Sequence, residues 1–183
     1  MIVSNSKKVI FLEVPKTGSM SLSSLIKSSD FFNENQDTVY GQHTLISEAI
    51  SEGVLNYDIK DYKIYAFIRN PLDRVLSAWY HDFLRFRNET IKELTLQELR
   101  LEFDKSIHHN FIGSLILKKD QSMFYEDGYN IELLVFENYI EEISKVFKEY
   151  DLNMPKIPVK NVRRNKQSLV TVDNMLNWHR MMD

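Results

Sequence analysis

Residues 9 to 22 read VIFLEVPKTGSMSL, and the fold class follows from this stretch. Lys8 to Val14 is a run rich in β-branched and aromatic residues that reads as a buried strand, stopped at Pro15, which has no N–H to give to a ladder. From Ser19 to Ser28, Met20, Leu22, Leu25 and Ile26 recur at near-helical spacing, so PKTGS is a strand-to-helix turn. At such a turn, backbone N–H groups and the positive end of the helix dipole converge on an anion. Gly18 lets the backbone approach a ligand, Lys16 supplies a point charge, and the hydroxyls of Thr17, Ser19 and Ser21 can donate hydrogen bonds. A Walker A loop needs G-x-x-x-x-G-K-[ST]. Here the Lys precedes the Gly, so the spacing does not encode ATP or GTP hydrolysis.

The same grammar repeats along the chain. Thr44 to Gly53 reads as a short helix with Leu45, Ile46, Ala49 and Ile50 on one side. Tyr62 to Ile68 (YKIYAFI) is a strand that runs into Arg69, Asn70 and Pro71. Asn70 suits a helix N-cap, Pro71 the first helical position, and Asp73 the positive end of the dipole, so a helix starts there. Leu72, Val75, Leu76, Trp79, Phe83 and Phe86 give it a wide apolar face. Two further helices are expected over 95 to 105 and 107 to 118, a strand at Ile131 to Phe136 (IELLVF), and an amphipathic helix from Asn138 to Tyr150. Strands separated by helices, each too far from the next for a hairpin, predict an α/β fold: a three-layer sandwich with a mainly parallel central sheet. Nothing Pro-, Gly- or Ser-rich divides the chain, so residues 1–183 are expected to form a single domain.

In a parallel sheet, ligands bind beyond the carboxyl ends of the strands. Lys16 and Arg69 each follow such an end, and Ser77 lies eight residues beyond Arg69 on the next helix. Both loops should open on one crevice, which suits a ligand with phosphates at two separated positions.

Two motifs carry a family resemblance. PKTGSMSL resembles the 5′-phosphosulfate loop, and RNPLDRVLSAWY the 3′-phosphate motif, of the sulfotransferases that use 3′-phosphoadenosine-5′-phosphosulfate (PAPS), especially their carbohydrate branch, which includes the heparan sulfate 2-O-sulfotransferases. Val135 to Asn138 (VFEN) is similar to the family's weaker F-E-N-L segment. The resemblance implies a P-loop-like sulfotransferase fold and transfer of a sulfuryl group from PAPS to an acceptor hydroxyl on a glycan, with PAP as product and no metal. By position, Lys16 contacts the 5′-phosphosulfate and neutralises the leaving phosphate, while Thr17, Gly18, Ser19, Met20 and Ser21 line the same end. Arg69 and Ser77 bind the 3′-phosphate, and Asn161, Arg163 and Arg164, in a stretch resembling the family's N-x-S-x-R region, close over the nucleotide. Met20 departs from the pattern, since the family usually has Thr there.

The acceptor hydroxyl must lose a proton as it attacks sulfur, and His is the side chain suited to take it at neutral pH. His43, in GQHTLISEAI between the two motifs, is the candidate base, as the 2-O branch resembles this in placing a catalytic His between the same motifs. A helix-capping role for His43 is the plainer alternative. Glu137 is a weaker second base candidate, with a helix N-terminal charge as its plainer reading.

Composition narrows the rest. The chain has 183 residues, 43% of them hydrophobic, enough for one substantial core. It has no Cys, which excludes disulfides, iron–sulfur clusters and thiol chemistry. A net charge of −3 argues against nucleic acid as partner, so an anion site must be built locally, and the run from Lys156 through Lys160, Arg163 and Arg164 to Lys166 is one source of charge. The apolar run after Lys7 and Lys8 is interrupted by Glu13, too short for a signal peptide or a membrane span, so a soluble, cytoplasmic protein is expected. Two other readings compete: a non-catalytic PAP- or glycan-binding module of the same fold, and a P-loop small-molecule kinase. The acceptor is expected to be read by the loops from Asp30 to Tyr40 and from Phe86 to Asn110.

Overall fold

The N-terminal residues build a hairpin, which corrects the expectation that every strand is separated from the next by a helix. The computed structural model describes residues 1–55, 59–71, 73–75, 77–78, 121–125 and 129–156. In it, β1 (Ile2–Ser4) and β2 (Val9–Leu12) pair antiparallel, with Ile2 opposite Phe11 and Ser4 opposite Val9. Three residues are too few to display a period of two, so β1 has no sequence signature of its own. The two-residue strand β3 (Thr38–Val39) adds antiparallel to the other edge of β1.

Beyond β2 the sheet is parallel, as expected. Both β2 with β4 (Lys63–Ile68) and β4 with β5 (Ile131–Val135) run parallel, giving the order β3-β1-β2-β4-β5. Every residue of β2 is buried because both faces of the sheet are covered. Val9 and Phe11 face one layer with Tyr65, Phe67 and Leu134, packed by Leu22, Leu25 and Ile26 of α1 (Ser19–Lys27) and by Ile143, Val146 and Phe147 of α3 (Tyr139–Glu149). Ile10 and Leu12 face the opposite layer with Ile64 and Ala66, packed by Leu45, Ile46 and Ala49 at α2 (Ile46–Ser51). Each buried Val, Leu, Ile or Phe among them stabilises the fold by about 1.5 to 3 kcal/mol relative to exposure, so the three-layer arrangement follows from two-sided burial of apolar strands.

Register decides where the loops emerge. Leu12 lies opposite Ala66, and Ile68 opposite Val135, so the carboxyl ends of β2, β4 and β5 sit side by side at one end of the sheet. The segments 13–18, 69–70 and 136–138 therefore leave from the same rim.

By contacts the chain divides into two compact units, Met1–Asn70 with Lys119–Lys160, and Pro71–Lys118 with Asn161–Asp183. All five strands belong to the first. In the second, Pro71, Asp73 to Val75, Ser77 and Ala78 are helical, in accord with the helix start read from Asn70-Pro71, and Arg74 and Ala78 are buried. The helices expected over 95–105 and 107–118 lie outside the described residues. Among the described residues, no helix is long and apolar enough to cross a membrane.

One buried carboxylate ties the hairpin to the loop after α1. Asp37 accepts hydrogen bonds from the Asn33 N–H at 2.8 Å, the Ser6 N–H at 3.0 Å and the Ser6 hydroxyl at 3.1 Å. Burial alone raises its pKa, but these donors outweigh burial and hold the carboxyl below its ordinary value of 3.8. A carboxyl with a depressed folded pKa gives stability that is complete above its unfolded value and lost as pH falls through the folded one. Asp37→Asn is expected to cost about 1 kcal/mol at pH 7, the difference between charged and neutral acceptors, and the gap to wild type should close below about pH 4. Urea denaturation of both proteins at pH 7 and pH 3 checks this; a gap that is independent of pH contradicts it.

Candidate functional site

The rim of the sheet is shaped first by the turn after β2. Lys16 has φ 66° and Gly18 φ 79°, so two residues within three positions are left-handed. For Lys this costs roughly 1 to 2 kcal/mol, a strain retained where the surrounding structure enforces it. Thr17 is buried, and its hydroxyl donates to the Val14 carbonyl at 2.9 Å. Its single proton is thus committed to bracing the turn, in place of the ligand donation expected of it. Ser21 and Leu22 both direct their N–H groups to the Gly18 carbonyl, at 2.9 and 3.0 Å, which leaves the N–H groups of Ser19 and Met20 ahead of the helical ladder at the positive end of α1.

Gly18 has no room for a side chain. A Cβ there would meet Cε2 of Phe136 at 2.7 Å and Cε2 of Tyr139 at 3.5 Å. Tyr139 stacks on Phe67 with ring centroids 4.7 Å apart, and its hydroxyl is buried without a hydrogen-bond partner. Burial pushes this phenol's pKa up, so it stays a donor at neutral pH.

Arg69 reaches back to this turn. Its Nη1 donates to the Lys16 carbonyl at 3.1 Å, and its guanidinium lies 4.7 Å from the centre of the Phe136 ring. The main chain of Arg69 is clasped at both ends by one carboxamide: its N–H donates to Gln121 Oε1 at 3.2 Å, and Gln121 Nε2 donates to its carbonyl at 3.1 Å. Glu137 accepts the Asn70 N–H at 2.9 Å. This carboxylate, weighed as a base from the sequence, therefore orders the turn after β4.

His43 approaches from the loop before α2. Its Nδ1 lies 2.6 Å from the Glu13 carbonyl oxygen, and its φ is 62°. A carbonyl only accepts, so Nδ1 carries the proton and Nε2 holds the lone pair in the neutral ring. His43 does not cap α2: Leu45 occupies the N-cap position, and its N–H donates to Glu48 Oε2 at 2.8 Å. The Glu13 side chain is buried and bonds the Met1 ammonium at 2.6 Å, which in turn donates to the carbonyls of Tyr40 and Gly41 at 3.2 and 3.0 Å. Residue 13 therefore links the start of β1, the loop carrying His43 and the Lys16 turn.

The structure thus brings Lys16, Thr17, Gly18 and Arg69 into direct contact or sequence, with His43 tied to residue 13 of the same turn. Ser19 is buried, Ser21 half-buried, and Met20 is 47% exposed with its sulfur accepting from Gln42 Nε2 at 3.1 Å. Ser77 is helical and half-buried in the second unit. Asn161, Arg163 and Arg164 lie outside the described residues, as does the expected acceptor loop from 86 to 110. Gln121, Phe136, Tyr139 and Glu13 are additions that sequence reasoning missed. Phe136 stands in the VFEN segment, a usable signal, whereas a lone Gln carries none. Among the described residues, no group of three or more His, Asp or Glu is gathered as a metal site.

Comparison with known proteins gives one family. The model of the sulfotransferase family matches residues 1–162. No curated protein matches the chain. Among solved structures, a sulfotransferase from Alicyclobacillus acidocaldarius is similar at 15% identity, over 95% of this chain and 90% of that one, with a TM-score of 0.39.

Proposed function

This chain belongs to the sulfotransferase family, and on that premise we propose that it moves the sulfuryl group of PAPS to a hydroxyl of a carbohydrate acceptor, with PAP as the second product. The observation that carries the reading is the contact of Arg69 Nη1 with the Lys16 carbonyl, which joins the two anion motifs at one rim of the parallel sheet.

The residues present fit such a donor. Gly18 packs against Phe136 too closely to admit a Cβ, which holds the turn in place, with the Ser19 and Met20 amides ahead of the helix and an orphaned Tyr139 hydroxyl near by. Lys16 and the N–H groups of Gly18, Ser19 and Met20 hold the 5′ end, with the Ser19 and Ser21 side chains able to supply the hydroxyl that Met20 lacks, since the Ser21 N–H is taken by the Gly18 carbonyl. Arg69 and Ser77 hold the 3′-phosphate, and Asn161, Arg163 and Arg164 cover the nucleotide. When bound, PAPS supplies an activated sulfuryl group on a phosphate leaving group. Lys16 stabilises the negative charge that grows on the leaving oxygen, an electrostatic contribution that is commonly the largest in such sites. His43 receives the acceptor hydroxyl's proton at Nε2, its ring held in the required tautomer by the Glu13 carbonyl.

The direct test is incubation of the full chain with radiolabelled PAPS and a panel of glycans. Label transferred to at least one glycan, with PAP released in equal amount, is the expected result. Absence of both transfer and PAP release with every acceptor, sugar or not, would overturn the reading; transfer to a non-sugar hydroxyl alone would correct only the acceptor class.

A further inference from the structure

Arg69 is placed to serve more than a 3′-phosphate. We propose that it braces the Lys16 turn, and that Gln121 and Phe136 are the positioning residues that hold it there, so that the 5′ cradle depends on a residue of the other motif. The nucleotide half of this inference rests on the function proposed above; the brace itself does not.

Lys16 is left-handed at φ 66°, a conformation that takes its carbonyl out of any strand or helix ladder. The Arg69 guanidinium supplies a charged donor to that carbonyl at 3.1 Å. A guanidinium has five N–H donors in a rigid fork, so it can satisfy a carbonyl and still face an anion, which a Lys ammonium at the same place does not do with the same geometry. Its aim is fixed twice. The reciprocal pair between the Gln121 carboxamide and the Arg69 main chain extends the ladder of β4 by one residue and sets the direction in which the side chain leaves. Phe136 then presents its ring to the guanidinium at 4.7 Å, and the same ring stands against Gly18, where a Cβ would be 2.7 Å from it. One aromatic side chain is therefore the common wall of the Gly18 turn and of Arg69.

The consequence is measurable without any donor. Hydrogen exchange of the ligand-free chain, read on peptides covering residues 14 to 22, is expected to speed up about tenfold or more in Gln121→Leu, Phe136→Leu and Arg69→Lys, since each loses part of a bond of the charged class. Phe136→Tyr, which keeps the ring, should exchange like wild type. Peptides from α2 report general loosening: exchange that rises there equally, or a turn that exchanges as slowly as wild type in all three variants, overturns the brace.

Calorimetry then addresses the nucleotide. Adenosine 5′-monophosphate lacks the 3′-phosphate, so a residue acting only at the 3′ site cannot alter its affinity. With the brace, Gln121→Leu and Phe136→Leu weaken AMP and PAP by a similar factor, about tenfold, and Phe136→Tyr restores both. Weakening of PAP alone overturns the coupling. If wild type binds neither nucleotide while exchange still rises in the variants, the brace stands and the PAPS reading fails, so the two are separable.

Discussion

On the proposed function, His43→Ala is expected to lower kcat by about 100- to 10,000-fold, the usual contribution of a positioned general base, and to leave the affinity for PAP unchanged. The expectation follows from which atom of the ring is engaged. Nδ1 is held by the Glu13 carbonyl at 2.6 Å, so the side chain enters the site with its tautomer already chosen. The left-handed backbone of His43, φ 62°, is a second sign that the position is enforced by its surroundings. If the side chain served only to tie its loop to residue 13, its loss would lower the melting temperature and nucleotide binding along with the rate. Steady-state kinetics, PAP calorimetry and thermal unfolding of the same preparation separate the two cases, and an unchanged kcat ends the base assignment.

Gly18→Ala is expected, on the same proposed function, to weaken PAP binding by roughly 100-fold or more and to lower thermal stability at the same time. Two costs add. A non-glycine residue in the left-handed region costs about 1 to 2 kcal/mol, and forcing a methyl group into a filled space typically costs about 1 to 3 kcal/mol. Here the methyl would stand 2.7 Å from Phe136 Cε2, so either the ring moves off Arg69 or the turn opens. Both movements damage the same cradle. Adding Phe136→Leu to Gly18→Ala should relieve the steric part and leave the backbone part, so thermal stability recovers in part while PAP affinity does not return. Wild-type affinity in Gly18→Ala alone would mean that the turn does not hold the donor.

The site was legible to different depths at different residues. Lys16, Gly18 and Arg69 stand in local patterns whose physics acts within a few residues: a strand ended by Pro15, a glycine before a helix, an Asn-Pro helix start. Thr17 was legible as part of the loop but not in its role, because whether a hydroxyl turns to a ligand or back to the Val14 carbonyl depends on the fold of the turn itself. Glu137 likewise appeared as a titratable group after a strand, and only the neighbouring strand end made it an acceptor for Asn70. Gln121 gave no signal at all. Its partner is 52 positions away, and nothing in its own neighbourhood marks it.

By itself the sequence determined the strands β2, β4 and β5, the helices that follow β2 and β5, and hence two-sided burial and the parallel part of the sheet with loops at its strand ends, since these follow from short-range periodicity and from Pro and Gly. Tertiary structure alone decided the antiparallel β1 and β3, the Gln121 clasp, and the meeting of Arg69 with Lys16 across 53 positions and of His43 with Glu13 across 30. The reason is physical: a hydrogen bond between distant residues depends on strand register and on the left-handed turns that aim each group, and register is set by the packing of the whole sheet.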